Sequence, residues 1–232
     1  NNFFYLLVII LFCNFLSTKT LAEVQFNFNV SEIEILENGN LIKGLKKGVV
    51  NTNEGLSITA DEFEYDKSKN ILNAVGNVKI ENKLENYFIY SDEVNYFKNE
   101  GNISTSGKTR FLLRSKFEII SKDILFIEKI RTVTSDKETK ILDNNSNAYI
   151  LNKFSYQIDK QILKGEEIII TSNYKLPKSD TLFLSSAIID LKNNKFIAKD
   201  TKFEIHEDVF GDKNNNPRLI GLSSKGDDVI KI

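Results

Sequence analysis

The chain of 232 residues has few of the side chains from which catalytic and metal sites are usually built. It contains one histidine, one cysteine, no tryptophan and no methionine. A disulfide within the chain is excluded, and one histidine with one cysteine cannot supply the ligand set of a zinc site. The missing initiator predicts that the sequence is a fragment at its start, and the alternating stretch at 227–232 predicts that it is cut at its end.

An excess of charge of either sign is also missing. The 31 basic and 32 acidic residues leave a net charge of −1. Basic clusters at 43–47 and 108–116 are flanked by acidic residues, which is typical of solvated strand edges. A nucleic-acid partner needs a concentrated basic surface, so none is predicted.

The first 22 residues form the one long apolar segment. Residues 3–12 are almost wholly apolar, and Thr20 and Ala22 place small residues before Glu23, as in a secretory signal peptide. The run is too short for a membrane-spanning helix, which needs about 20 apolar residues. Cys13 follows the bulky Phe12, so it does not read as a lipidation site. The segment predicts export.

An internal repeat of 31 residues dominates what remains. Asp61-Glu62, Tyr65 and Gly76 recur as Asp92-Glu93, Tyr96 and Gly107, which predicts stacked β units. Asp123 continues the spacing in a weaker third copy. Asp190, Asn194 and Ala198 lie 124 residues, or four periods, after Asp66, Asn70 and Ala74.

Within each unit the apolar residues alternate with polar ones, which indicates antiparallel strands with one apolar face. Polar stretches at 66–70 and 98–102 have the composition of turns, so each unit reads as strand, turn, strand. The apolar phase slips around Ala60-Asp61-Glu62, which predicts a β-bulge there.

Candidate catalytic groups are scarce. His206 alternates with Phe203 and Ile205, which predicts a polar surface position. The Asp-Glu pairs at 61–62 and 92–93 resemble the paired carboxylates of glycosidases, but they recur with the period of the fold, which favours a structural role. The oxygen-rich run at 212–216 lacks the glycine and closing glutamate of an EF-hand loop and reads as a polar loop. No catalytic residue, metal or cofactor is predicted.

Two segments carry a resemblance to a known family. Residues 60–66 with 74–80, followed by 90–96 with 105–107, resemble successive repeats of the OstA-like domain of the lipopolysaccharide-transport proteins LptA and LptD. The stretch at 200–224 resembles the part that follows the periplasmic domain in LptD proteins, so the chain looks most like an N-terminal part of LptD without its barrel. The implied fold is an all-β, twisted and partly open β-jelly roll of antiparallel strands.

The resemblance also implies an organisation and a function. The expected segments are a signal peptide at 1–22, a lead-in or edge segment at 23–50, the jelly roll at 51–206, and a connector at 207–232 toward the missing barrel. Residues 33–40 alternate poorly, so a flexible lead-in is the alternative to an edge strand there. The expected function is lipopolysaccharide transport and assembly on the periplasmic side of the outer membrane, without enzymatic activity. Expected partners are lipopolysaccharide, an LptA-like bridge protein that pairs with the strand edge near 24–45, and an outer-membrane lipoprotein that binds the missing barrel.

An apolar face of such a roll has to be buried against another sheet or against lipid. Burial of a lipid contributes about 0.8 kcal/mol per methylene group. The residues predicted to line a lipid path are Phe63, Tyr65, Leu72, Ala74, Val78, Ile80, Phe88, Tyr90, Tyr96, Ile103 and Phe111.

Three other functions fit parts of the pattern. A free LptA-like bridge protein would share the repeats. A structural or adhesive β-solenoid would also show repeats and an export signal, but its copies would continue with similar quality, whereas these decay after Phe111. An enzyme that acts on carbohydrate would use Asp61 or Asp92, and neutralising either residue would then abolish turnover.

Overall fold

The computed structural model describes residues 26–113, 116–176, 179–206 and 217–227. The predicted signal peptide with Cys13 and the polar loop at 212–216 lie outside the described residues. Apart from two three-residue 3-10 turns at Glu37–Gly39 and Glu128–Ile130, every regular element in this part of the chain is a strand. The strands are β1 Asn27–Leu36, β2 Leu41–Asn51, β3 Leu56–Ala60, β4 Glu62–Asp66, β5 Ile71–Asn82, β6 Tyr87–Phe97, β7 Asn102–Ser106, β8 Lys108–Leu113, β9 Phe117–Lys122, β10 Leu125–Ile127, β11 Thr132–Ser135, β12 Thr139–Asp143, β13 Ala148–Gln157, β14 Ile162–Thr171, β15 Thr181–Asp190, β16 Lys195–Glu204 and β17 Arg218–Asp227.

The strands form one antiparallel meander that is folded over on itself. Four pairs of short strands each behave as one long strand that is broken in the middle, because the two members of a pair lie between the same neighbouring long strands. These pairs are β3 with β4, β7 with β8, β9 with β10, and β11 with β12. With the nine unbroken strands, they make thirteen long strands. Each long strand therefore crosses a bend and contributes to two layers. Layer 1 contains β4, β7, β10 and β11, layer 2 contains β3, β8, β9 and β12, and the unbroken strands contribute to both.

The bend is built by glycines packed against aspartates in the early strands. Asp61 separates β3 from β4, as the predicted bulge required, and its backbone N–H donates to the carbonyls of both Val75 and Gly76. Gly76 has φ +79°, and a Cβ there would lie 2.6 Å from Asp61 Oδ2. Gly107 repeats the arrangement with φ +81° and a distance of 2.5 Å to Asp92 Oδ2. The repeat therefore marks the positions where the sheet folds over, since only glycine fits a left-handed backbone so close to a side chain.

Buried hydroxyl groups line the inner side of this bend. Where a strand is interrupted, backbone donors and acceptors lose their ladder partners and need others. Thr105 Oγ1 accepts a hydrogen bond from Ile124 N–H at 2.9 Å, and Ser135 Oγ donates to the carbonyl of Lys122 at the same distance. In β6–β12, the hydroxyl residues that are buried along the bend are Ser91, Thr105, Thr109, Ser121, Ser135 and Thr139.

The turns at the far end of layer 1 form a ladder of their own. They contain the left-handed residues Asn70, Gly101, Arg131, Gln161 and Asn194, which are 31, 30, 30 and 33 residues apart. Each turn donates a backbone hydrogen bond to the preceding turn. These bonds run from Lys67 to Asn40, Lys98 to Asn70, Glu128 to Gly101, Ile158 to Arg131, and Leu191 to Gln161, at 2.9–3.1 Å.

The backbone thus keeps the period after the sequence copies decay. Asp66 and Asp190 take the same part in their turns, each accepting a backbone N–H from the residue three positions on, Lys69 or Asn193. The predicted turns at 66–70 and 98–102 are confirmed. The decay of the sequence repeat after Phe111 does not separate a finite roll from a regular scaffold, because the turns repeat through to Asn194.

The folded sheet has two free edges. In the described residues, β1 pairs only with β2 and β17 pairs only with β16. The predicted all-β antiparallel jelly roll is confirmed, and it is open because these two strands do not pair with each other. The sheet starts at Asn27, before the predicted domain start at residue 51, and continues through β17, beyond the predicted end at 206. No helix long and apolar enough to cross a membrane occurs among the described residues.

Candidate functional site

An apolar row runs across the whole of layer 2. Residues paired directly across neighbouring strands share a face of the sheet, so a chain of such pairs defines a row perpendicular to the strands. Thirteen apolar residues, one from each long strand, form this row. With strands about 4.8 Å apart, it spans roughly 58 Å. Its members are Phe28, Val50, Ile58, Ile80, Ile89, Phe111, Ile119, Ile141, Tyr149, Ile170, Leu182, Phe203 and Leu219.

A second row crosses layer 1 in the same way and faces the first. It contains one apolar residue from each long strand except the last, β17, where the paired position is Gly226. Its members are Ile35, Ile42, Tyr65, Leu72, Tyr96, Ile103, Phe126, Val133, Tyr156, Leu163, Ile189 and Phe196.

The two rows touch each other through aromatic rings in the middle of the roll. Phe111 of layer 2 packs edge-on against Phe126 of layer 1, with ring centroids 5.2 Å apart, and Tyr87 packs against both rings. Farther along, Phe117 lies 5.5 Å from Tyr156. The interior is closed at these points, so a guest molecule would have to push the layers apart.

Each row comes to the surface at one of the two edge strands. Ile35 on β1 is 64% exposed, although its cross-strand neighbour Ile42 packs on the core. At the other edge Leu219 is 65% exposed, whereas Phe203 beside it is partly buried against the core. The apolar interior therefore opens at both edges of the folded sheet.

Most of the predicted lining residues belong to this interior. The nine that are buried inside the roll are Phe63, Tyr65, Leu72, Ala74, Val78, Ile80, Tyr96, Ile103 and Phe111. Whether they contact lipid remains a prediction.

Phe88 and Tyr90 were predicted on the wrong face. Both lie on the outer face, where Lys79 is stacked on the Phe88 ring and Arg110 on the Tyr90 ring. The inward residues of this part of β6 are Tyr87 and Ile89. The phase slips at Asp92-Glu93 just as it slips at Asp61-Glu62. The repeat predicted that second slip, but the alternation was followed through it without a change of face.

The side of the roll opposite the bend is a seam where turns of the two layers meet. Near its middle, the turn after β5 and the 3-10 turn after β10 are joined by two polar contacts. Arg131 forms an ion pair with Glu85 at 2.7 Å, and the Tyr87 hydroxyl donates to Glu128 Oε1 at 2.6 Å. Burial raises the pKa of the Glu128 carboxyl, and the hydrogen bond from Tyr87 partly opposes this. Burial likewise raises the pKa of the Tyr87 hydroxyl.

Farther toward the C-terminal edge the seam contains a cavity of about 230 Å³. It lies between the turns that flank β9 and β12 in layer 2 and the turn after β15 in layer 1. The lining residues are Lys116, Phe117, Asp143, Asn144, Asn145, Tyr149, Leu191 and Asn194.

The Asp-Glu pairs at 61–62 and 92–93 lie at the bend of the sheet, where their aspartates form hydrogen bonds that stabilise it. Asp92 Oδ2 accepts the backbone N–H of Lys108 at 3.0 Å, and Asp61 Oδ2 accepts the side-chain amide of Asn77 at 2.7 Å. His206 lies 2.8 Å from Asp180 Oδ1 through its Nδ1 atom. Within the described part of the chain, no cluster of three or more acidic, histidine or cysteine side chains could hold a metal ion.

Sequence reasoning missed the seam and the hydroxyl residues along the bend. The contact between Glu85 and Arg131 joins turns 46 residues apart, a distance set by how the layers cross, which a period of 31 does not encode. The hydroxyls did leave a signal. Thr105 and Thr109 occupy inward positions on either side of Gly107, where an uninterrupted core strand would carry apolar side chains.

No protein-family model matches the sequence, and no curated protein matches it. Among solved structures, the fold is similar to that of LptH from Pseudomonas aeruginosa, the LptA-homologous periplasmic component of the conserved lipopolysaccharide transport device. The match has a TM-score of 0.37 and 14% sequence identity, and it covers 62% of this chain and 83% of that one. A similarity at this level assigns no function, so any functional proposal depends on this chain's own residues.

Proposed function

We propose that this chain is a periplasmic lipid conduit that holds the acyl chains of lipopolysaccharide between its two layers and passes them along the roll. The observation that carries the proposal is the pair of facing apolar rows, which cross the sheet and become exposed at opposite edges, the row of layer 1 at β1 and the row of layer 2 at β17. The resemblance of residues 60–80 and 90–107 to OstA-like repeats favours lipopolysaccharide as the lipid.

The physical chemistry needs no catalytic group. Each methylene buried between the rows contributes about 0.8 kcal/mol, so a chain of ten methylenes gains roughly 8 kcal/mol. Part of that gain offsets the loss of ring contacts such as that between Phe111 and Phe126, which have to separate when a chain enters. Binding by separation of the layers is reversible, as a conduit requires. The sugar headgroup stays in water.

The free edges supply the contacts with partners. An unpaired strand offers backbone donors and acceptors to a strand of another chain. We assign β1 as the edge that receives an LptA-like bridge protein, because its exposed Ile33 and Ile35 continue the inner face of layer 1. A partner strand paired there would extend the apolar row from one protein into the next.

At a finer level, we propose that the chain is the periplasmic part of an LptD-like assembly protein, placed at the outer membrane and followed by a barrel that binds a lipoprotein. The motif at 200–224 supports this assignment over a free LptA-like bridge. β17, which spans most of the second half of that motif, lies in the sheet as its last described strand.

Photo-crosslinking in cells tests the lipid path. A light-activated residue would replace Ile35 at one edge, Tyr65 inside the roll, or Leu219 at the other edge. Matched controls would carry it at Tyr90 and Lys79, which face outward. We expect lipopolysaccharide adducts at the three inner positions and none at the controls.

Adducts at Ile35 and Leu219 together would mark a path that runs from edge to edge. The opposite result is also decisive. An exported, folded protein that gives no adduct at any inner position would have an ordinary packed core, and a structural scaffold with repeated turns would then be the better description.

A further inference from the structure

The cavity in the seam has the layout of a binding site for an amphiphile. Its floor is apolar: Phe117 and Leu191 pack on the core, and Tyr149 belongs to the apolar row of layer 2. The cavity therefore reaches the interior directly, at a point well away from either edge strand.

The rim of the cavity is polar and has unused bonding capacity. Within the described residues, the Lys116 ammonium group makes no ion pair, and the side-chain amides of Asn144 and Asn194 make no hydrogen bond. Asp143 is different, because its carboxylate accepts hydrogen bonds from the Asn147 backbone N–H and side-chain amide and from the Tyr149 hydroxyl, at 2.8–3.1 Å. The acidic group at the rim thus holds its own loop, while the cationic and amide groups have no partner within the described part of the chain.

Among the described residues, no ion pair joins the residues that line the cavity to the opposite layer, in contrast to the middle of the seam. There, Glu85 with Arg131 and Tyr87 with Glu128 tie the two layers together. At the cavity the facing turns are separated by space of about 230 Å³. No ion pair within the described part of the chain involves a residue that lines the cavity, so an acyl chain would not have to break one of these to reach the floor.

We propose that the seam cavity is a side portal, where one hydrocarbon chain of an anionic amphiphile inserts between the layers while Lys116 and the neighbouring amides hold its charged head. The proposal rests on the lipid-conduit function and adds a site to it. Lipid would reach the interior from the side of the roll as well as from its edges.

Calorimetric titration with alkyl phosphates of eight to fourteen carbons, below their micelle concentrations, tests the portal. We expect affinity to rise about fourfold for each added methylene, as 0.8 kcal/mol per group requires, until the accessible space is filled. Leu191→Trp places an indole in the cavity and should weaken dodecyl phosphate binding at least tenfold. Asn145→Trp at the exposed rim should act in the same direction with less risk to folding. Leu84→Trp, at an exposed leucine in the turn after β5, is the matched control and should bind like the natural chain.

The charge is tested separately. Lys116→Gln should weaken dodecyl phosphate about two- to fivefold, the range of an exposed ion pair, and leave an uncharged dodecyl glycoside unaffected. Equal binding by the two cavity tryptophan variants and the natural chain would overturn the portal, as would an equal loss for charged and uncharged probes.

The portal and the conduit fail in different ways. If lipopolysaccharide crosslinks at Ile35 and Leu219 while Leu191→Trp binds dodecyl phosphate normally, the portal is wrong and the conduit stands. If Leu191→Trp abolishes binding but no lipopolysaccharide adduct forms in cells, the site is real and its natural ligand is another amphiphile. A natural chain that binds no alkyl phosphate would overturn the portal outright.

Discussion

The early strands β3–β9 and the late strands β13–β17 form the same bent sheet by different means. In the early strands, Gly76 and Gly107 pack against the aspartates of the preceding strands, and the sequence repeats visibly. In the late strands, bends fall at Lys153, Glu167 and Asp200, which have φ values of +42°, +50° and +49° without being glycines. A left-handed conformation costs such residues about 1–2 kcal/mol, so the neighbouring strands must impose it.

The difference shows that the regular spacing of turns in this fold is maintained by contacts between neighbouring strands. Each turn of the ladder bonds to the one before it, so a turn at 158–161 is placed by the turn at 128–131 even though its sequence no longer follows the repeat. In the early copies, the local sequence specifies where the bends and turns lie. In the late copies, their positions are set by hydrogen bonds to the preceding strands and turns.

The largest expected difference between the regions lies along the apolar row of layer 2. Phe111→Ala removes a fully buried ring that packs on Tyr87 and Phe126 and should lower the free energy of unfolding by about 3–5 kcal/mol. Leu219→Ala, in the same row on β17, removes a side chain that is 65% exposed and should change it by about 0.5 kcal/mol or less. Urea unfolding followed by circular dichroism measures both.

A similar loss at both positions would mean that β17 packs as tightly as the centre, and the C-terminal edge would then not be an opening of the interior. If only Phe111→Ala destabilises, the row is closed in the middle and open at its end.

A smaller effect is expected at the bends. Gly76→Ala or Gly107→Ala forces a side chain into a left-handed backbone and against an aspartate oxygen, which should cost at least about 1–3 kcal/mol. Gly221→Ala in β17 is the matched control, because the nearest atom to its new Cβ would lie at an ordinary 3.5 Å and its φ is not left-handed. We expect a change within about 0.5 kcal/mol there. Thermal unfolding midpoints compare the three variants. An equal drop in midpoint for all three would show that the glycines at the early bends have no special role.

The early strands were also the part that sequence could predict. The alternation of apolar and polar residues predicted the strands, the 31-residue repeat predicted the bends, and the polar runs predicted the turns at 66–70 and 98–102. Nine of the eleven residues predicted to line a lipid path lie inside the roll, because alternation between bulges is reliable. Phe88 and Tyr90 were misplaced since a one-residue slip reverses the face of all following side chains until the next slip. The seam could not be predicted, because which turns of the two layers meet depends on the twist of the whole sheet.

The smallest expected effect lies in the seam, which is bridged in its early part and contains a cavity in its late part. The pKa of the Glu128 carboxyl is raised in the folded protein, so the folded state retains its proton to a higher pH than the unfolded state. Stability from this group is therefore present at low pH and is lost as pH rises from the ordinary glutamate pKa of 4.5 through the raised value. Glu128→Gln keeps an oxygen for the Tyr87 hydroxyl and removes the titration. We expect the variant to gain stability relative to the natural chain as pH rises from 4.5 through the raised pKa of Glu128, and then to keep a constant advantage.

The control for this pH profile is Glu85→Gln, which breaks the more exposed ion pair with Arg131 at the same place and should cost about 0–1 kcal/mol. Unfolding free energies at half-unit steps of pH distinguish the two variants. Parallel curves for Glu128→Gln and the natural chain would show that burial does not perturb Glu128. The early seam would then be held only by surface-type contacts, and it would open to lipid about as readily as the late seam, where no such bridge is seen among the described residues.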